Sequence, residues 1–121
     1  MLANLLDGLV RAMSLTNLGF LVFGGTLGTI LGMLPGLGPA TGVAVLLPLT
    51  FILEPDTAMI TLSAIYYGAM FGGSRSSILI NTPGAGSAIA ATFDGYPMTE
   101  SGEAESALAM SAIASLIGGL I

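Results

Sequence analysis

Arg75 is the only charged residue between Thr57 and Phe93. A charge set among long apolar runs is costly at membrane depth and marks a functional candidate. Its guanidinium can grip a substrate carboxylate bidentately, or it can snorkel from a helix end to lipid headgroups. Hydroxyls gather nearby at Thr26, Thr29, Ser74, Ser76 and Ser77. They offer oxygens to a substrate (Ser74) or to a sodium ion (Thr26, Thr29 and Ser77), and the same small residues suit helix–helix packing. Asn81-Thr82 stands directly before Pro83-Gly84. A polar amide in an apolar run needs a partner, so this pair either caps a broken helix or also touches the ligand.

Other chemistry is excluded by what the chain lacks. It has no cysteine and no histidine, which removes disulfides, thiol catalysis, zinc sites, haem ligation and histidine-based triads. No catalytic residue, metal site or cofactor is expected, and any ion is a coupling ion, Na⁺ or H⁺. The glycine-rich stretches have no P-loop lysine. Glu100, Glu103 and Glu105 read as a solvated loop rather than a proton relay, with Asp94 a weaker exception beside an apolar run. Tyr66 and Tyr67 read as packing or interface residues.

Composition narrows the class. Two arginines and seven acids are the only charges in 121 residues, and charged residues make up 7%, against roughly 25% in soluble domains. Hydrophobic residues reach 54% and there are 18 glycines. Such a chain cannot supply a polar shell. A soluble enzyme, a disordered tail and a nucleic-acid binder are excluded, and a chain embedded in a lipid bilayer remains. Asp7 and Arg11 precede the first long apolar run, with no clear cleavage site after it, so the start does not read as a signal peptide. The chain stops on apolar Leu116–Ile121, and it is read as the N-terminal part of a longer membrane protein.

The elements that must position these residues follow from periodicity. Leu2, Leu5, Leu6, Leu9, Val10 and Met13 form one helical face, with Asn4, Asp7 and Arg11 opposite. Residues 1–14 are therefore expected as an amphipathic helix in the membrane interface, or else as lead-in turns of the first span. Residues 15–121 are expected to form membrane helices interrupted by breaks. Ala12–Leu53 carries no charge. Within it Leu18–Leu34 predicts a helix, Pro35-Gly36-Leu37-Gly38-Pro39 breaks it, and Ala40–Leu53 resumes, with Pro48 a possible kink. The unit is long for one crossing and short for two. Glu54-Pro55-Asp56 reads as a turn at a membrane face. Thr57–Gly73 predicts a slightly short span with a helix end at Gly72-Gly73. Asn81–Ser87 predicts a second break, Ala88–Phe93 a brief resumption, Asp94–Glu105 an aqueous loop, and Ser106–Ile121 a further helix.

The two breaks match at an offset of 48 residues. Phe23-Gly24-Gly25-Thr26 pairs with Phe71-Gly72-Gly73-Ser74, Thr29-Ile30-Leu31 with Ser77-Ile78-Leu79, and Pro35-Gly36-x-Gly38-x-Ala40 with Pro83-Gly84-x-Gly86-x-Ala88. Nine of the 18 positions in 23–40 are identical to their counterparts in 71–88, so we read an internal duplication. Paired broken hydrophobic segments are the best sequence pointer to a transporter's binding site. Irregular backbone at membrane depth is tolerated only where protein buries it or it lines a wet cavity. The second half of a broken helix presents free N–H groups to anions. That makes Gly36, Gly38, Thr41, Gly84, Gly86 and Ser87 substrate candidates beside Ser74, Arg75, Asn81 and Thr82. If Gly24–Leu53 is a re-entrant hairpin, the second copy enters from the opposite side and the repeats are inverted.

Gly32-Met-Leu-Pro-Gly-Leu-Gly-Pro39, Leu46-Leu-Pro-Leu-Thr-Phe51, Tyr66-Tyr-Gly-Ala-Met-Phe-Gly-Gly-Ser74, Ile78-Leu-Ile-Asn-Thr-Pro-Gly84 and Asp94-Gly-Tyr-Pro-Met98 occur in this order. Together they resemble the large permease subunit of bacterial tripartite tricarboxylate transporters, over roughly residues 15–121. The resemblance implies an all-α, multi-pass permease of the bacterial inner membrane. It implies a small membrane subunit and a periplasmic solute-binding protein as partners, and uptake of citrate-like or other carboxylates with a cation gradient. The residues themselves also leave open a passive channel or a non-transporting assembly subunit.

Overall fold

A computed structural model describes all residues, Met1–Ile121. It is helical, with α1 (Leu2–Ala12), α2 (Leu15–Met33), α3 (Pro39–Thr50), α4 (Pro55–Ile80), α5 (Ala90–Glu100) and α6 (Ala104–Leu120), plus a short 3₁₀ turn at Gly86–Ala88. This is an all-α membrane protein. α2 is the helix both long and apolar enough to cross a membrane. At 1.5 Å per residue it spans about 28 Å, α3 about 18 Å and α4 about 39 Å.

The organising contact is a seam of small residues between α2 and α4. Gly24 lies against the Thr61 carbonyl, Gly28 against Ile65 and Gly32 against Ala69. From the other side, Gly68 lies against the Gly25 carbonyl and Gly72 against the Thr29 carbonyl. A methyl group at any of these glycines would collide with backbone. Four-residue spacing on both helices puts the small residues on one face each, and without side chains the backbones can approach closely. Ile65, fully buried, fills the middle of the seam.

Residue numbers on the two helices rise together along the seam, so α2 and α4 are parallel. α3 joins them by returning: it starts beside Ala85, passes Ile65 at Gly42 (Cγ2 at 3.6 Å from a Cβ built there), and ends before Glu54. This corrects the inverted arrangement expected from a re-entrant first unit. Residues 23–33 belong to α2 and their matches at 71–80 belong to α4, so the matching stretches run in the same direction.

Polar side chains tie the shared start of α2 and α4. Ser14 caps α2 by accepting from the Asn17 N–H at 3.3 Å. Asn17 is only 6% exposed. Its Nδ2 donates to the Arg11 carbonyl at 2.7 Å and its Oδ1 accepts from the Thr57 hydroxyl at 2.6 Å. A buried hydrogen bond contributes about 1 kcal/mol, and losing one partner costs more than that. Arg11 also lies 3.2 Å from Asp7 and 3.9 Å from Asp56.

Two further expectations are corrected. α4 does not end at Gly72-Gly73 but runs on to Ile80. Each interior glycine costs a helix about 1 kcal/mol, but here the two make the close approach to α2 possible. Asp94–Glu105 is not one continuous loop: α5 runs through Asp94 and Pro97 as far as Glu100, although the four acids stay exposed. It is held against the end of α4, where Gly95 fits over Ile78 and the Thr99 hydroxyl donates to the Ile78 carbonyl at 2.7 Å. That bond satisfies one of the carbonyls that a helix end leaves free. Only Ser101–Glu103 separates α5 from α6.

Candidate substrate site at two adjoining helix breaks

The backbone leaves helix at matching places. α2 stops at Met33 and α3 starts at Pro39; α4 stops at Ile80 and the 3₁₀ turn starts at Gly86. In the first break Leu37 N–H donates to the Leu34 carbonyl at 3.1 Å, and Gly36 takes a φ of +83°. In the second, Asn81 takes a left-handed φ of 53° as the cap of α4, and Thr82 N–H donates to the Ser76 carbonyl at 3.2 Å. Asparagine tolerates that conformation better than most side chains, and the exposed Asn81 is the turning point of the chain.

Because α2 and α4 are parallel and start together, both breaks fall at the same end of the pair. A Cβ built on Gly38 would stand 3.2 Å from the Ala85 Cβ. Gly84 sits under the Gly32 carbonyl and close to Gly73, whose own Cβ position is 3.7 Å from the Ala88 Cβ. The N-cap residues of the two resuming helices, Gly38 and Ala85, are therefore neighbours. Both are extended (φ −69°, ψ 176° and φ −144°, ψ 163°). In the first turns that follow, Ala40, Thr41, Gly86 and Ser87 have N–H groups without an acceptor in the chain, whereas Gly42 donates to Gly38 and Ala88 to Ala85. Two sets of free donors thus start from adjoining caps, each at a positive dipole end. Such ends suit an anion.

Gly38, Thr41, Gly84, Gly86 and Ser87 belong to this junction or its first helical turns. Gly36 is at the exposed tip of the first break. Thr41 is half-buried, and the Ser87 hydroxyl points to the Met70 sulfur at 3.9 Å. Thr82 lies in the second break, with its hydroxyl donating to the Ile80 carbonyl at 3.1 Å. Arg75 is half-buried on α4, with its guanidinium carbon 3.9 Å from the Phe71 ring centroid. It stands 20 residues beyond Pro55, about 30 Å along the helix and roughly one hydrocarbon thickness.

The hydroxyls are not gathered in one place. Thr29 and Ser74 line an open groove of about 1050 Å³ between α2, α4 and α6, together with Tyr66, Tyr67 and Phe71. Thr26 is exposed and Ser77 fully buried. Each donates back along its own helix: Thr26 to Val22 at 2.7 Å, Thr29 to Gly25 at 2.7 Å, Ser74 to Met70 at 3.2 Å and Ser77 to Gly73 at 2.8 Å. Their lone pairs, not their protons, are what remain for a ligand. Sequence reasoning overlooked Asn17, Thr57 and Thr61, which are buried and polar. The signal was present for Asn17, an amide standing at the head of an uncharged run.

Comparison with known proteins agrees with the arrangement of motifs. Residues 18–121 match the family described as the Tripartite tricarboxylate transporter TctA family. An Agrobacterium vitis protein named "Uncharacterized 52.8 kDa protein in TAR-I ttuC' 3'region" is 44% identical over 121 residues. The alignment covers 100% of this chain and 24% of that protein's length. No solved structure matches the chain. The family match takes in both breaks and every helix from most of α2 onward, and on it the chain belongs to the tripartite tricarboxylate transporter TctA family.

Proposed function

We propose that the chain forms part of the membrane permease of a carboxylate uptake system, acting as a transporter and not as an enzyme. The observation that carries this reading is the adjacency of the Gly38 and Ala85 caps. Free N–H groups lie in the first turns after these neighbouring caps, and a substrate with several carboxylates would engage both sets at once. Membership of a tricarboxylate transporter family supports that substrate class. The reading takes residues 23–40 and 71–88 as copies of one duplicated unit, whose relative movement would open and close the junction. Uptake would be driven by a Na⁺ or H⁺ gradient across the bacterial inner membrane, in a multi-pass assembly with a small membrane subunit. A periplasmic binding protein would deliver the carboxylate.

Gly86→Pro tests the role of the backbone donors. Proline is accepted in the first helical turn and removes one N–H, and the preceding Ala85 already has the extended conformation that proline demands. Labelled citrate and related carboxylates would be supplied to proteoliposomes or cells with and without an imposed cation gradient. The expected result is gradient-dependent uptake whose KM rises about tenfold in Gly86→Pro, as for one lost hydrogen bond to a charged group. Uptake with an unchanged KM would remove the junction from the substrate path.

A further inference from the structure

We propose that α1 is a membrane-surface helix, with its leucine face lying in the boundary between phospholipid headgroups and acyl chains next to the start of α2. At 100° per residue Leu2, Leu5, Leu6, Leu9, Val10 and Met13 share one side, and Asn4, Asp7 and Arg11 take the other. No residue of α1 is buried. The six apolar side chains are between 57% and 75% exposed, so no other part of residues 1–121 covers this face. A contiguous apolar stripe of this kind is stable only against another apolar phase.

The neighbouring elements identify that phase as lipid. Only Met13 and Ser14 separate α1 from α2, the helix long and apolar enough to cross the bilayer. The corner between them is held by Asn17, which donates to the last-turn carbonyl of Arg11 while accepting from Thr57 of α4. The polar side of α1 is turned to the first turn of α4, where Arg11 meets Asp56. α1 is therefore pinned at the level where α2 enters the membrane, with Glu54 and Asp56 marking the aqueous edge. Its side-chain charges balance, one aspartate against one arginine, so the contact is with acyl boundary and does not require anionic headgroups. This inference does not depend on the carboxylate reading and stands or falls separately from it.

The absence of cysteine allows single nitroxide labels to be placed without background, at Asn4→Cys, Leu5→Cys, Gly8→Cys and Leu9→Cys in the protein reconstituted into phosphatidylcholine vesicles. Collision with oxygen and with a water-soluble nickel chelate reads depth. The expected pattern is helical: positions 5 and 9 oxygen-rich and chelate-poor at a depth of about 5–10 Å, and positions 4 and 8 with a chelate collision rate roughly threefold higher or more. The same pattern is expected after anionic lipid is added. Equal chelate access at all four positions would place α1 in water. Shielding of all four from both reagents would mean that polypeptide, a second copy or another segment, covers the face. A pattern seen only with anionic lipid would replace acyl burial by headgroup electrostatics. Any of these three results overturns the proposal.

Discussion

The two breaks carry the same Pro-Gly-x-Gly-x-Ala pattern and are built differently. At the first, Pro35 and Gly36 are exposed, a Cβ on Gly36 would meet nothing within 4 Å, and Gly36 has a φ of +83°. At the second, Gly84 is buried under the Gly32 carbonyl and has no positive φ. The left-handed turn has moved three residues upstream to Asn81. One sequence position, the glycine after proline, thus serves conformation in one break and close packing in the other. The first break forms the outside of the junction and the second its inner wall, wedged between α2 and the Gly73 stretch of α4.

The comparison is broken or sustained most sharply by Gly84→Val. Its side chain would collide with the backbone of Gly32 and crowd Gly73, and neither is a flexible group that can swing aside. Overpacking of this kind costs about 3 kcal/mol. The expected outcome is a loss of that size in unfolding free energy, followed in mixed detergent micelles, together with loss of transport. A Gly84→Val protein as stable as the parent would mean that the second break is as open as the first.

Gly36→Ala probes the other break and should cost less, about 1–2 kcal/mol, because the penalty is confined to a left-handed backbone. Gly36→Asn should recover part of it, since asparagine visits that region more readily. The same micelle titration measures both. If alanine and asparagine are equally harmful at position 36, contact and not conformation governs the first break too.

These differences mark what the sequence could and could not convey. Helix starts and stops around the breaks were legible because proline and glycine act locally: Pro35–Pro39 and Asn81–Ser87 both interrupt helix. The helix through Gly72-Gly73 was not legible, because glycine is a local helix breaker that here sits where another backbone comes close. The Asp94–Glu105 stretch misled for a related reason. Its acids are exposed as expected, but the backbone is helix and not loop, because Gly95 and Thr99 dock α5 onto Ile78, a contact from 17 to 21 residues away in sequence. Direction was the hardest feature. A returning α3 already makes α2 and α4 parallel. The inverted reading came from ending α4 at Gly72-Gly73, whereas α4 carries residues 71–80 onward in the same direction. The spacing of Gly24, Gly28 and Gly32 against Gly68 and Gly72 marks the seam without fixing its direction. Of the candidate site, the donors at the two resuming helices were readable from the broken pattern. Their adjacency was not, since it depends on that parallel seam.

The finest test compares Gly38 and Gly86, which occupy equivalent places 48 residues apart. Gly38 has an ordinary φ of −69°, so alanine there meets no backbone strain, only the Ala85 Cβ at 3.2 Å. A few tenths of an ångström of adjustment is needed, at a cost of about 1 kcal/mol or less. A Cβ on Gly86 would meet nothing within 4 Å, so Gly86→Ala is expected to stay within about 0.5 kcal/mol of the parent. If the small cost of Gly38→Ala comes from contact between the caps, Ala85→Gly should erase it in the double variant, a coupling that independent sites would not show. Absence of coupling would separate the two caps in solution, and with them the paired donors on which the carboxylate reading rests. Coupling with normal uptake would instead show that the junction tolerates a methyl group, and that substrate lies on the N–H side of the caps and not between their Cβ positions.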